Sequence, residues 1–201
     1  MIKSTDCLLV MGRRGCGKSY LSKNLQKMWP RRVIIDSLNE YNEGEIVHSF
    51  HEFSEALKHY KSVSQNEFAL VYQFDPEHEE SEELFNQIMR LCYYFGNIQV
   101  VIEEVQLYSS PHFLPKWLKN NLLIGRHQDL SLLFTSQRPG EVNKTIISQC
   151  AHIFCGQILE GNDLRYVSSF LNEDASRLSS LPERKFIYKS DEGIAEISNN
   201  F

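Results

Sequence analysis

Gly12-Arg13-Arg14-Gly15-Cys16-Gly17-Lys18-Ser19 reads as a complete G-x-x-x-x-G-K-S stretch. The apolar run Cys7-Leu8-Leu9-Val10-Met11 precedes it, and a helix-like segment from Tyr20 to Met28 follows. Strand, glycine loop and helix start are the setting a phosphate-binding P-loop requires. Glycines let successive backbone N–H groups turn inward around a phosphate, at φ values other residues avoid. The helix N-terminus adds partial positive charge and Lys18 a full one between the β- and γ-phosphates. Ser19 supplies a hydroxyl oxygen suited to Mg²⁺. The stretch therefore predicts a nucleoside triphosphate site built from Gly12, Gly15, Cys16, Gly17, Lys18, Ser19 and Tyr20, with ATP and Mg²⁺ as its ligands.

At 201 residues the chain reads as a single P-loop ATPase domain over residues 1–201, with no internal repeat or linker. A net charge of −5 leaves no global basic field to draw a monomer onto nucleic acid. Any such contact must come from a few local cations, multiplied by oligomerisation. The five cysteines form no C-x-x-C pair and are odd in number, which suits small core residues in a reducing compartment. No apolar stretch approaches the ~20 residues of a membrane span, and the N-terminus lacks the long apolar region of a signal peptide. These features predict a soluble, cytoplasmic protein without a membrane partner.

Along the chain, apolar β-branched runs alternate with helical periods. Trp29-Pro30 stops the first helix, and Val33-Ile34-Ile35-Asp36 is a short strand ending in an acid. Ser49 and Glu52 make a capping box for a helix presenting Phe53, Ala56, Leu57 and Tyr60 on one face. Phe68 to Tyr72 reads as the next strand. Asp75-Pro76 offers a start for a helix running to Phe95, with the acids of Glu77 to Glu83 in its solvated first turn. Further strands are expected at Gln99 to Ile102, Leu130 to Thr135 and Ala151 to Cys155. A helix at Asn162 to Leu171 and two short strands, Lys185 to Tyr188 and Ile194 to Ile197, complete the tail. Strands spaced by helices predict an α/β fold with a mostly parallel central sheet flanked by helices. Ligands bind such sheets at the carboxyl ends of the strands.

Two acids, Glu103 and Glu104, end the strand that starts at Gln99. A strand ending this way is the second half of an NTP-hydrolysing site: one acid holds Mg²⁺ or one of its waters, the other polarises the attacking water. Glu103 is assigned to the metal and Glu104 to the water; the usual first residue is Asp, so Glu103 adds a methylene. Gln137, at the end of the following strand, can bond the γ-phosphate or the lytic water because an amide both donates and accepts.

Gly125-Arg126-His127-Gln128-Asp129 running into Leu130-Ser131-Leu132-Leu133-Phe134-Thr135-Ser136-Gln137-Arg138-Pro139 resembles the signature of the FtsK–HerA superfamily of DNA-pumping ATPases. Ile34-Ile35-Asp36-Ser37-Leu38-Asn39-Glu40-Tyr41 is similar to that superfamily's second-strand motif, and the resemblance covers about Leu8 to Phe154. Asp129 stands where the family commonly has Gly. The compact size looks most like the genome-packaging ATPases of tailless viruses and phages. The resemblance implies a RecA-like P-loop NTPase core of the ASCE type. It also implies a homo-oligomeric ring, hexameric or pentameric, that drives double-stranded DNA into a capsid, with capsid vertex proteins as further partners. The host cytoplasm and the virion are the places this implies.

In such rings a neighbour's arginine completes each site; Arg126 is the first candidate and Arg138 the second, because a guanidinium keeps its charge and grips phosphate oxygens bidentately. Lys116, Trp117 and Lys119 are candidate nucleic-acid contacts, through phosphates and stacking. The alternative for that stretch is a packed helix with Phe113, Trp117 and Leu118 in the core. Other readings are an assembly ATPase of the filamentous-phage type, a small nucleotide or nucleoside kinase, and a P-loop switch that binds ATP without turnover.

Overall fold

Leu8 to Met11 are all fully buried, and their side chains alternate between two cores. Leu9 and Met11 enter the larger core and Leu8 and Val10 the smaller, as the period of two along a strand demands. Val33 and Ile35 against Ile34 repeat the pattern, as do Val100 and Ile102 against Val101. A sheet apolar on both faces is one that helices cover on both sides.

The computed structural model describes residues 1–73 and 80–198. Its elements in order are β1 (Cys7–Met11), α1 (Lys18–Leu25), β2 (Arg31–Asp36), β3 (Glu45–Val47), α2 (Phe50–Ser62), β4 (Phe68–Gln73), α3 (Ser81–Phe95) and β5 (Ile98–Ile102). Then come α4 (Lys116–Ile124), β6 (Leu130–Ser136), α5 (Lys144–Gln149), β7 (His152–Cys155), α6 (Gly161–Leu171), α7 (Ala175–Ser180), β8 (Lys185–Ser190) and β9 (Gly193–Ser198). The described strands form one nine-stranded sheet in the order β3-β4-β2-β5-β6-β1-β7-β8-β9. All pairs are parallel except β7–β8 and β8–β9. The expected α/β fold with a mostly parallel sheet is therefore what the chain adopts.

The strand β6 lies between the P-loop strand β1 and the strand β5 that ends in the two acids. This order gathers the loop after β1, the acids after β5 and Gln137 after β6 at one edge. The capping box at Ser49 and Glu52 is present, and Phe53, Ala56, Leu57 and Tyr60 of α2 are all buried. Three local features go beyond the sequence reading. The first helix begins at Lys18, and its last turn tightens to a 3-10 turn, Gln26–Met28, where the Trp29 N–H donates to the Gln26 carbonyl. The two tail strands form an antiparallel hairpin on the sheet's edge rather than extending its parallel part. The three-residue strand β3 carries too short an apolar run to stand out in sequence. The predicted helix start at Asp75-Pro76 and the first acids of the Glu77 to Glu83 run lie outside the described residues.

Candidate active site

Met11 at the end of β1 pairs with Ser136 and Cys155, and the chain turns sharply there. Gly12 has φ 143°, and a Cβ on it would stand 2.9 Å from Cys16 Sγ and 3.2 Å from Gly156 Cα. Gly17, the N-cap of α1, has φ 98°, and its Cβ would stand 3.2 Å from Arg184 Cγ. Both positions need glycine for conformation and for space. Cys16 is buried under the loop; burial raises its thiol pKa, opposed by the nearby Lys18 charge. Its role is packing rather than reactivity. Lys18 is buried and its Nζ donates to the Arg13 carbonyl at 3.2 Å, which arches the ammonium across the loop. Arg13 itself is tied to Gln157 through both its side chain and its N–H, whereas Arg14 lines the cavity in front of the loop. That cavity, about 660 Å³, also takes in Gly15, Gly17, Lys18, Ser19, Tyr20, Glu104 and Gln137.

The two acids point different ways. Glu104 has φ 48° and ψ 60°, a left-handed kink that ends the strand and swings its side chain into the cavity. Its Oε1 accepts from Gln137 Nε2 at 2.8 Å, and its Oε2 from the Gln137 N–H at 2.9 Å and Gln106 Nε2 at 2.6 Å. Thus the sequence-predicted pair of water activator and polar sensor is joined by direct hydrogen bonds. Glu103, only 4 % exposed, turns beneath the cavity and does not line it. Its Oε1 accepts from Tyr41 Oη at 2.5 Å and Ser22 Oγ at 3.3 Å, and its Oε2 from Thr135 Oγ1 at 2.5 Å. Burial raises the Glu103 pKa above the usual carboxylate value, against the lowering effect of the Thr135 and Tyr41 hydroxyls. Burial likewise raises the Tyr41 pKa, with the Glu103 charge adding to it.

The motif at the end of β2 now has a structural reason. The fully buried Asp36 accepts the Glu40 N–H at 3.1 Å and the Tyr41 N–H at 3.0 Å, closing the turn that delivers Tyr41 to Glu103. Thr135 completes the link: it donates to Glu103 and accepts the Glu104 N–H at 2.9 Å. Sequence reasoning passed over Tyr41, Thr135 and Arg184 as site residues. The Asp36 to Tyr41 motif was the available signal for Tyr41; nothing local marks the other two.

For Mg²⁺ the donors fit in kind. Ser19 and Ser22 are three residues apart on α1, hence neighbours on one face, and Ser22 meets Glu103. Among the described residues no cluster of His, Cys, Asp or Glu is able to hold a metal alone. Mg²⁺ commonly takes one or two protein oxygens and completes its shell with phosphates and water. Ser19 would be the direct ligand, and Glu103, its oxygens already engaged, would act through Ser22 or a bound water.

The candidate arginines lie apart from this cavity. Arg126 is exposed in a 3-10 turn, Gly125–Gln128, at the amino end of β6. The seven residues of that strand put it about 20 Å from Gln137. Asp129, after it, has φ 51°, a left-handed conformation that glycine adopts freely. Arg138 sits at the carboxyl edge but is engaged: Nε donates to the buried Asp163 at 3.1 Å and a terminal nitrogen lies 3.5 Å from Glu141. The Asp163 hydrogen bond raises its pKa further. Lys116 and Lys119 are exposed at the start of α4. Trp117 is half-buried against Tyr93 and Tyr94 of α3, with the Arg90 guanidinium 5.8 Å from its ring. Leu118 is core, as in a packed helix, while Phe113 is exposed.

A phosphate loop at the carboxyl edge of this strand order, facing a bonded Glu–Gln pair, is the arrangement of the P-loop NTPase fold. The particular likeness is viral. The genome packaging NTPase B204 of Sulfolobus turreted icosahedral virus 2, solved with sulfate, superposes with a TM-score of 0.76 at 20% identity, over 97% of this chain and 96% of that one. The same protein with AMPPCP gives a TM-score of 0.74, also at 20% identity, over 97% and 98% of the two chains. VirB4 of Thermoanaerobacter pseudethanolicus gives 0.68 at 11% identity, over 95% of this chain and 88% of that one. Protein P9 of Pseudoalteromonas phage PM2 is 24% identical over 196 residues, spanning 92% of this chain and 85% of that protein. No family model matches the sequence. The expected resemblance to genome-packaging ATPases is borne out by these likenesses, and at such identities what they establish is the fold.

Proposed function

We propose that this chain is an ATP-hydrolysing DNA translocase of the FtsK–HerA superfamily, a subunit of a ring that packages a viral genome. The observation that carries it is the Glu104–Gln137 pair at the mouth of the phosphate-loop cavity. With triphosphate on the loop, Lys18 and the loop N–H groups take the phosphate oxygens. A water beside Glu104 attacks the γ-phosphorus in line; the bond to the β-bridging oxygen breaks and the water's proton passes to the Glu104 carboxylate. Gln137 fixes both the carboxylate and that water, so the base does not swing as the γ-phosphate leaves. Ser19 would hold Mg²⁺, which when bound would supply charge neutralisation to the phosphate oxygens. Glu103 holds its place through Tyr41, Ser22 and Thr135. A packaging role is supported by the likeness to B204 over nearly the whole chain.

The test is phosphate release with and without duplex DNA, and with nucleosides as rival acceptors. DNA-stimulated release of inorganic phosphate is expected, abolished by Lys18→Ala and lowered about 10²–10⁴-fold by Glu104→Gln. Transfer of phosphate to a nucleoside would instead establish a kinase. Unchanged hydrolysis in Glu104→Gln would end the assignment of the base.

A further inference from the structure

Arg184, between α7 and β8, has a place in the cavity that the hydrolytic chemistry does not use. Its φ is 60°, a left-handed conformation disfavoured for any residue with a side chain. Two contacts hold it there. Its backbone N–H donates to the Cys16 carbonyl at 3.0 Å, and its side-chain stem lies against Gly17, where a Cβ would meet Cγ at 3.2 Å. The guanidinium then lies over the Tyr20 ring, 5.4 Å from its centre. Both side chains are exposed at the rim of the cavity. An exposed, non-glycine residue kept in a strained conformation against a functional loop is a feature to explain.

Sheet order says what lies above it. The P-loop follows β1; Gln137 and Glu104 follow β6 and β5, on one side of β1. Arg184 precedes β8, two strands away on the other side, about 10 Å at ordinary strand spacing. The γ-phosphate must point toward Glu104, where its water is activated. The rest of the nucleotide then leaves the loop on the opposite side, past Ser19 and Tyr20 and toward Arg184. We infer that the Arg184 guanidinium, stacked on the face of the Tyr20 ring, presents its outer face as the platform for the nucleobase of the bound nucleotide, an inference that rests on the nucleotide-site reading above. A phenol ring and a guanidinium are both flat and both stack on base π-faces. Cation–π contact with Tyr20 holds the guanidinium flat.

The experiment compares two ligands by titration calorimetry in Mg²⁺: ATP, and inorganic tripolyphosphate, which carries the phosphates without a base. Arg184→Ala and Tyr20→Ala are each expected to weaken ATP about tenfold, the scale of one base-stacking contact, and to leave tripolyphosphate within about twofold. Arg184→Lys, which keeps the charge but loses the plane, is expected to behave as Arg184→Ala does. Alanine at 184 keeps the backbone N–H bond to Cys16, and an unchanged melting temperature checks the fold. Equal weakening of both ligands, or full rescue by lysine, would make Arg184 a phosphate contact and overturn the platform. Unchanged ATP affinity in Arg184→Ala and Tyr20→Ala would overturn it as well. Lys18→Ala should weaken both ligands. If wild type binds neither ligand, the nucleotide site itself is wrong and the platform falls with it.

Discussion

Glu103 and Glu104 are adjacent in sequence, yet one is buried among hydroxyls and the other faces the cavity. The left-handed kink at Glu104 separates them. Burial raises the Glu103 pKa, so the native state holds that proton more tightly than the unfolded chain. By linkage, ionised Glu103 subtracts from stability above its native pKa, and this deficit disappears as pH falls below the unfolded value. Glu103→Gln removes the buried charge while keeping an oxygen for the hydroxyls. Near neutral pH the variant is expected to melt higher than wild type, with the gap closing toward about pH 4. Its ATP turnover should fall sharply. Scanning calorimetry across pH checks the first part, and a lower melting point at neutral pH would contradict it. Thr135 is the joint between the two acids. Thr135→Val keeps the shape but leaves the buried Glu104 N–H without its acceptor, an expected cost of about 1–3 kcal/mol in urea unfolding. Turnover should fall with ATP affinity unchanged, because the hydroxyl positions the acids and touches no phosphate.

At the scale of elements, the turn after β2 does for Tyr41 what the kink after β5 does for Glu104. Asp36→Ala removes the acceptor for two backbone N–H groups in a buried turn, and about 2 kcal/mol of stability should go with it. Tyr41 would then leave Glu103, so hydrolysis should slow while KM for ATP stays near wild type. A rise in KM alone would place this turn in nucleotide binding instead. The same elements mark what sequence could reveal. The phosphate loop, the two acids and Gln137 were legible because each is a short motif at the end of an apolar run, and parallel topology brings strand ends together. The buried face of α2 was legible because its period and capping box agree. Tyr41's contact with Glu103 spans 62 positions and Arg184's with Cys16 spans more than twice that. Neither leaves a local pattern, since burial and hydroxyl geometry exist only after folding. The β8–β9 hairpin was legible as two strands, but its direction depends on the turn at Ser190 to Gly193 and on pairing with β7.

At the scale of the molecule, the geometry separates the phosphate loop from the arginine proposed to complete a neighbour's site. The phosphate loop and Glu104 lie at the carboxyl edge of the sheet, while Arg126 lies at the amino end of β6, about 20 Å away. A rigid chain cannot bring that guanidinium to its own γ-phosphate. A neighbour in a head-to-tail ring can, since such an interface joins different surfaces of identical subunits. Arg138, held by Asp163, is poorly placed to leave for a neighbour's site, so Arg138→Ala should disturb the local turn more than the chemistry. The arrangement makes a mixing experiment decisive. Lys18→Ala removes the site's own lysine and Arg126→Ala the residue proposed to serve the next site, and on that proposal each alone should lose about 10³-fold or more in DNA-stimulated hydrolysis. Mixed in equal amounts, about a quarter of the interfaces pair an intact loop with an intact arginine, if subunits assort at random. Activity should therefore return to a sizeable fraction of wild type, and the fraction should change with the mixing ratio. If the mixture stays as inactive as its components although the two proteins co-assemble, Arg126 does not act across an interface. An acidic chain with a net charge of −5 would then need another account of how neighbours, and DNA, are engaged.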